Sequence, residues 1–145
     1  MCRTNKILFL TVAGVSLFFA SCHPPRYLPE KATAAYPEHL HATSSTNIQA
    51  FRDGQWILIV NATATSYYEP KIWINQQYVS SIPELLAGET IVLSLWDFRN
   101  QLGESFNAGG LLRTSIPTPV RMAEIQINDQ EPLVGMISIA SGETN

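Results

Sequence analysis

The sequence predicts a small all-β domain over residues 46–140, built as a two-sheet antiparallel β-sandwich. Apolar and polar residues alternate in several segments, which indicates strands that each place one face in a core. Turn-forming residues separate these segments at short intervals. Beyond the apolar N-terminus, no segment has the i, i+3, i+4 pattern of an amphipathic helix. About 95 residues are enough for one hydrophobic core.

The first three strand signals lie in the first half of this domain. Residues 55–60 are almost continuously apolar, so we expect a central strand covered on both faces. Residues 71–75 alternate, with Ile72 and Trp73 on opposite faces. Residues 78–82 follow after a short polar turn, and the two segments therefore predict a β-hairpin.

The second half of the domain carries three further strand signals. Residues 89–96 form the clearest alternation, with Ile91 directed to one face and Val92 to the other. Residues 121–127 alternate as well, and residues 133–139 follow after a polar turn. These last two segments predict a second hairpin that closes the domain.

Six to eight short strands with turn signals at this spacing resemble immunoglobulin-like and fibronectin-like modules. The resemblance is one of architecture alone, because the Cys…Trp…Cys spacing of antibody domains is absent from the sequence. It implies an immunoglobulin-like β-sandwich. A small open β-barrel is the alternative fold, because a barrel is built from the same alternating strands.

The N-terminus has the pattern of a secretory signal peptide. Arg3 and Lys6 are followed by residues 7–20 without a charge, and small residues precede Cys22. The apolar stretch is too short to cross a bilayer as a helix, which takes about 20 residues. We therefore predict a signal peptide over residues 1–21.

The motif Phe19-Ala20-Ser21-Cys22 resembles the lipobox of bacterial lipoprotein precursors. This resemblance implies that a diacylglyceryl group is attached to the sulfur of Cys22 and that the signal is cut before it. In this family an Asp after the cysteine favours inner-membrane retention, so His23 implies the periplasmic face of the outer membrane. Two or three acyl chains on one residue make release from a membrane very slow. An ordinary secretory cut that leaves a free cysteine is the alternative.

Residues 22–45 have a different composition, and four of the nine prolines lie between residues 24 and 37. This composition predicts a lipidated cysteine followed by an extended Pro-rich tether, which holds the domain at most roughly 70 Å from the membrane. Residues 141–145 are predicted to be a short tail.

Charge and cysteine content exclude several classes of function. The formal net charge is −3 and Lys and Arg do not cluster, which excludes a nucleic-acid-binding surface. Cys2 lies in the predicted signal and Cys22 carries the predicted lipid, so residues 46–140 contain no thiol. A cysteine nucleophile, a disulfide framework and a cysteine zinc site are therefore excluded.

Catalytic and metal sites are not predicted. His23, His39 and His41 all fall in the predicted tether, and a Ser–His–acid triad in residues 46–140 would lack its histidine. His39 and His41 share one side of an extended chain, but a stable zinc site takes three or four ligands. We also expect no cofactor.

The segment over residues 96–110 is the candidate ligand or partner contact, because it mixes aromatic, charged, amide and glycine residues between two strands. The alternative is a structural turn in which the aromatic residues are buried. The candidate contact residues are Trp96, Asp97, Phe98, Arg99, Asn100 and Phe106.

The N-terminal resemblance and the predicted β domain together lead to a functional prediction. We expect a membrane-anchored envelope lipoprotein that is not an enzyme and that acts as an accessory or assembly subunit by binding another envelope component. The alternative is a ligand- or glycan-binding module that uses the segment from Trp96 to Phe106.

Overall fold

The computed structural model describes residues 27–110 and 115–139, and these residues form an all-β fold. The predicted signal peptide, Cys22 and the tail 141–145 lie outside the described residues. Three short 3-10 helices cover Pro29–Lys31, Glu38–Leu40 and Leu95–Asp97. The strands are β1 (Ser44–Asp53), β2 (Trp56–Asn61), β3 (Tyr67–Tyr68), β4 (Lys71–Ile74), β5 (Tyr78–Ser81), β6 (Glu84–Leu85), β7 (Thr90–Ser94), β8 (Ala123–Gln126) and β9 (Val134–Ile139).

Seven of these strands form one curled sheet in the order β5-β4-β8-β9-β1-β2-β7. Neighbouring strands are antiparallel except β1 and β9, which run parallel. Strands β3 and β6 pair separately as a small second sheet. The curl gives the large sheet the shape of a half-barrel.

The core lies on the inner face of the curled sheet, because strands place alternate side chains on the two faces. Isoleucines from β1, β2, β4 and β8 are fully buried there, and the segment after β7 adds Leu95, Phe98 and Phe106. A smaller cluster on the opposite face joins Trp73, Val79 and Leu133. We infer that two apolar clusters, one on each side of the sheet, hold the fold together.

The predicted strands are present, but a two-sheet sandwich is not confirmed. Hairpins β4–β5 and β8–β9 lie where the alternation predicted them. The half-barrel is closer to the alternative prediction of an open barrel. Strand β2 differs from its prediction, because Ile57 and Ile59 are buried whereas Leu58 and Val60 on the other face are only partly covered.

Residues 27–43 pack against the sheet instead of extending away from it as a spacer. Tyr36, Leu40 and Ala42 pack on the smaller apolar cluster, and Leu28 N donates to Gly103 O at 3.0 Å. Gly103 has a φ of +81°, and a Cβ at this position would collide with the backbone of Leu28. The proline-rich composition predicted an extended tether. Apolar side chains between the prolines instead bury surface against the smaller apolar cluster. Residues 27–43 are therefore part of the folded body.

Candidate functional site

The candidate segment over residues 96–110 contains a small hairpin that packs on the main core. Arg99 pairs with Ser105, and Phe106 N donates to Phe98 O at 2.9 Å. Phe98 and Phe106 are fully buried in the main core, and Phe106 packs edge to face on Tyr78 with ring centroids 5.2 Å apart. These two aromatic residues are core residues rather than the stacking surfaces that a bound ligand would need.

Arg99 and Asn100, two polar candidate residues, are buried within this hairpin. Arg99 Nη1 donates to Gly103 O at 3.2 Å. Asn100 Nδ2 donates to Glu104 Oε2 at 2.9 Å, and Asn100 Oδ1 accepts from Leu102 N and Glu104 N. Because buried polar groups are normally hydrogen-bonded, these contacts stabilise the turn.

The remaining two candidates lie at the other end of the segment and are more accessible. Trp96 is partly buried, and its indole Nε1 donates to Gln55 Oε1 at 2.8 Å. Asp97 is exposed at the end of the 3-10 helix. The structure therefore does not bring the six predicted contact residues together on one surface.

A second polar cluster, which the sequence did not predict, surrounds Glu124 on β8. The Glu124 carboxylate is only 1% exposed. It accepts from Tyr36 Oη at 2.9 Å and from Ala42 N at 3.2 Å, and His41 Nδ1 lies 3.1 Å from Glu124 Oε1. All three partners belong to residues 27–43. The carboxylate therefore fixes this segment to the sheet through charge-assisted hydrogen bonds.

Tyr36 is the centre of this contact. Burial raises the pKa of the Tyr36 hydroxyl above its ordinary value, and the hydrogen bond to the Glu124 carboxylate raises this pKa further. The ring of Tyr36 packs edge to face on Trp73 at 5.3 Å. Trp73 Nε1 in turn donates to Gln126 Oε1 at 2.7 Å. Polar and apolar contacts therefore act together to hold residues 27–43 in place.

A cleft of about 220 Å³ opens beside Tyr36. Its lining combines apolar surface from residues such as Leu102 with amides and carboxylates that can donate to and accept from a ligand. These side chains belong to Glu38, Gln76, Gln77, Asn100 and Glu104. In the part of the chain that the structure describes, no three His, Cys, Asp or Glu side chains are grouped as metal ligands.

The outer face of the sheet over β9, β1, β2 and β7 carries an apolar row, which we name the outer apolar face. The register places Ile139 beside Phe51, Phe51 beside Leu58, and Leu58 beside Val92. Ile137 continues this face along β9, and Val92 and Ile139 are 57% and 45% exposed. The row itself contains no charged residue, so a contiguous apolar surface faces away from the core.

Glu124 carried a weak sequence signal. It is a charged residue inside the alternating segment 121–127, where the strand residues Ala123–Gln126 are all buried. A carboxylate in such a strand needs hydrogen-bond donors, and these come from residues 82 to 88 positions earlier in the chain. The sequence therefore indicated an unusual residue but not its partners.

Raising the pH above about 10 is expected to destabilise the wild-type protein more than a Tyr36→Phe variant. In the unfolded chain Tyr36 loses its proton near pH 10, whereas its raised pKa in the folded chain keeps the proton bound. The folded state then binds more protons than the unfolded state, so the free energy of unfolding falls as pH rises. Urea denaturation of both proteins between about pH 8 and 11 measures this difference. Equal pH slopes would contradict the buried contact of Tyr36.

The structure and the comparisons with known proteins give two further findings. Among the residues that the structure describes, no helix has the length and apolar character needed to cross a bilayer. Comparison of the chain with protein-family models, with curated proteins and with solved structures finds no match.

Proposed function

We propose that this chain is a membrane-anchored bacterial envelope lipoprotein that acts, without enzymatic activity, as an accessory or assembly subunit for another envelope protein. The motif Phe19-Ala20-Ser21-Cys22 after an uncharged apolar stretch supports the anchor, and we place it on the periplasmic face of the outer membrane. The lipid on Cys22 then supplies the attachment to the membrane, and the β fold supplies the surface that binds the partner.

The outer apolar face is the observation that carries the proposed binding role. Phe51, Leu58, Val92, Ile137 and Ile139 lie side by side on four strands, and the exposed ones keep about half of their surface in water. Contiguous apolar patches of this kind on soluble domains commonly mark interaction sites. Because the row is uncharged, the partner that fits it is a protein with a complementary apolar surface.

The packing of residues 27–43 also affects how the proposed anchor works. The link from Cys22 to Tyr27 spans at most about 18 Å when fully extended. The folded body would thus stay much closer to the bilayer than the roughly 70 Å that a free tether of residues 22–45 allows. A partner reached by this protein would therefore be embedded in the same membrane or lie close to its surface.

Replacing Cys22 with alanine is expected to move the protein from the membrane fraction to the soluble fraction, or to leave its uncut precursor. The reason is that the variant has no sulfur to carry lipid. Fractionation, metabolic labelling with a fatty acid and mass spectrometry of the mature N-terminus measure this outcome. Cys2→Ala is the matched control, because it removes a thiol from the predicted signal and should leave lipid attachment intact. A wild-type protein that reaches the membrane without lipid on Cys22 would refute the anchor.

The binding role is tested by a charge on the outer apolar face. Ile137→Lys is expected to abolish crosslinking of the anchored protein to its envelope partner, because a desolvated lysine opposes apolar contact. Leu102→Lys is the control, since Leu102 is 58% exposed on the separate hairpin. If both variants capture the same crosslinked protein as the wild type, the outer apolar face is not the binding surface. Contact with lipid alone would also contradict the proposal.

A second candidate function, binding of a small ligand or glycan, is favoured by the cleft beside Tyr36, which offers both polar groups and apolar surface. Asn100 and Glu104 from the predicted contact segment line this cleft together with Gln77. Calorimetric titration with soluble cell-wall glycan fragments tests it, with Gln77→Ala as the variant because Gln77 is exposed. Binding by the wild type that is weaker in the variant supports this function, and no heat of binding with the wild type contradicts it.

A further inference from the structure

Strand β7 is the outermost strand at one end of the large sheet, and it differs from the strand at the other end. At that other end, β5 is covered by a neighbouring segment: Val79 N donates to Arg99 O at 2.8 Å, and Arg99 N donates to Val79 O at 3.1 Å. Among the residues described, β7 pairs on one side only, with β2. Within the described residues, one edge of the half-barrel is therefore covered at Val79 and the other is not covered.

The backbone direction of β7 follows from two hydrogen bonds at its ends. Asn61 N donates to Glu89 O at 2.8 Å, and Leu95 N donates to Gln55 O at 2.9 Å. Backbone groups of alternate residues in an antiparallel strand point to opposite sides, so the odd-numbered residues of this strand face β2. The N–H and C=O groups at the open edge then belong to Thr90, Val92 and Ser94.

This edge lacks the features that usually prevent strands from pairing with another chain. Natural edge strands carry charges, prolines or bulges, or are covered by other segments. Strand β7 has the sequence Thr-Ile-Val-Leu-Ser, which contains no charge and no proline, and its register with β2 is continuous. Val92 at its centre is 57% exposed. The edge is therefore suited to accept a further strand.

We propose that β7 pairs antiparallel with β7 of a second copy of this chain, about a two-fold axis at Val92. In this register Val92 faces itself, Ile91 faces Leu93 of the second copy, and Thr90 faces Ser94 of the second copy. Apolar residues thus meet apolar residues, and hydroxyl residues meet hydroxyl residues. The outward-facing backbone groups of both copies would form about six hydrogen bonds across the axis.

The order of polar and apolar residues in β7 favours pairing with a second copy over pairing with an unrelated strand. The strand reads polar, apolar, apolar, apolar, polar in both directions, so it is complementary to itself, as a two-fold interface requires. No like charges face each other within the five paired positions. The pairing also joins the two outer apolar faces through Val92, beside Leu58 of each copy. The inference does not depend on the proposed anchor or envelope partner.

The test is the mass of the full chain in mild detergent, measured by sedimentation equilibrium at several protein concentrations. The wild type is expected to reach twice the monomer mass. Val92→Lys and Val92→Glu should each raise the dissociation constant about tenfold or more, because like charges then face each other at the axis. An equimolar mixture of the two variants should recover the dimer mass, since Lys then faces Glu.

Ile137→Lys is the matched control, because it also places a lysine on the outer face but on β9, away from the edge. This variant should keep the wild-type dimer mass but should no longer bind the proposed envelope partner. The dimer and the envelope binding can therefore be disproved independently of each other. A wild-type chain that remains monomeric at every concentration overturns the inference. A dimer that survives Val92→Lys with its far-ultraviolet circular dichroism unchanged also overturns it.

Discussion

Replacing Phe98 with alanine is expected to lower the free energy of unfolding by about 3–5 kcal/mol. Phe98 has no exposed surface, and it packs in the main core from the hairpin that follows β7. Its truncation removes the transfer free energy of the ring and leaves a cavity that the strands can only partly fill. Urea denaturation followed by Trp fluorescence measures the change.

Leu102→Ala is the control for this prediction, because Leu102 lies at the exposed tip of the same hairpin. Its free energy of unfolding should stay within about 0.5 kcal/mol of the wild type. If Phe98→Ala has an equally small effect, Phe98 is not a core residue, and its role as a ligand-stacking surface becomes the better explanation.

Replacing Glu124 with alanine is expected to lower the free energy of unfolding by about 2–4 kcal/mol. The variant removes the acceptor of the backbone N–H of Ala42 in a partly buried site. It also removes one of two partners of the Tyr36 hydroxyl, which keeps its 2.9 Å contact with His41 Nδ1. An unsatisfied buried donor costs about 1–3 kcal/mol. Because both donors belong to residues 27–43, this segment should detach before the sheet unfolds.

Hydrogen exchange detected by mass spectrometry distinguishes this local effect from global unfolding. Peptides covering residues 36–42 should lose most of their protection in Glu124→Ala, while peptides from β2 lose only the protection that corresponds to the lowered free energy of unfolding. Glu38→Ala is the control, since Glu38 is an exposed carboxylate in the same segment with no side-chain hydrogen bond to the sheet. Unchanged protection of residues 36–42 in Glu124→Ala would mean that the carboxylate does not hold the segment.

The local parts of this fold could be predicted from the sequence. Alternation assigned Ile72 and Trp73 to opposite faces, and they lie in separate clusters on the two sides of the sheet. The same alternation placed Ile91 and Val92 on opposite faces, and the structure packs Ile91 against the core and leaves Val92 exposed. A hairpin joins neighbouring segments, so its pairing follows from the turn and the strand pattern.

The non-local parts could not be predicted in this way. Strand β1 begins with the polar residues Ser44 and Ser45, and only Ile48 and Ala50 are buried along its length. It pairs in parallel with β9, about 90 positions further along the chain. Periodicity identifies which face of a strand is buried but does not identify its neighbour, so a sandwich and a half-barrel have the same local signal.

In the candidate site, too, local features could be predicted from the sequence and distant contacts could not. Aromatic and polar residues over 96–106 suggested an exposed contact, but composition does not determine which aromatic residues a core will take up. The histidines were assigned to a tether because residues 22–45 are rich in proline. The contact of His41 and Tyr36 with Glu124 depends on a strand far away in sequence, which no local pattern records.

The central position of β9 affects how the chain reaches its final form. The last described strand lies between β8 and β1. Until it is in place, β5-β4-β8 and β1-β2-β7 are separate half-sheets with unpaired inner strands. Folding that depends on strands distant in sequence is slow. Its intermediates expose apolar surface and unpaired strand edges, which favour aggregation. A nascent chain therefore keeps these two half-sheets apart until β9 has been synthesised.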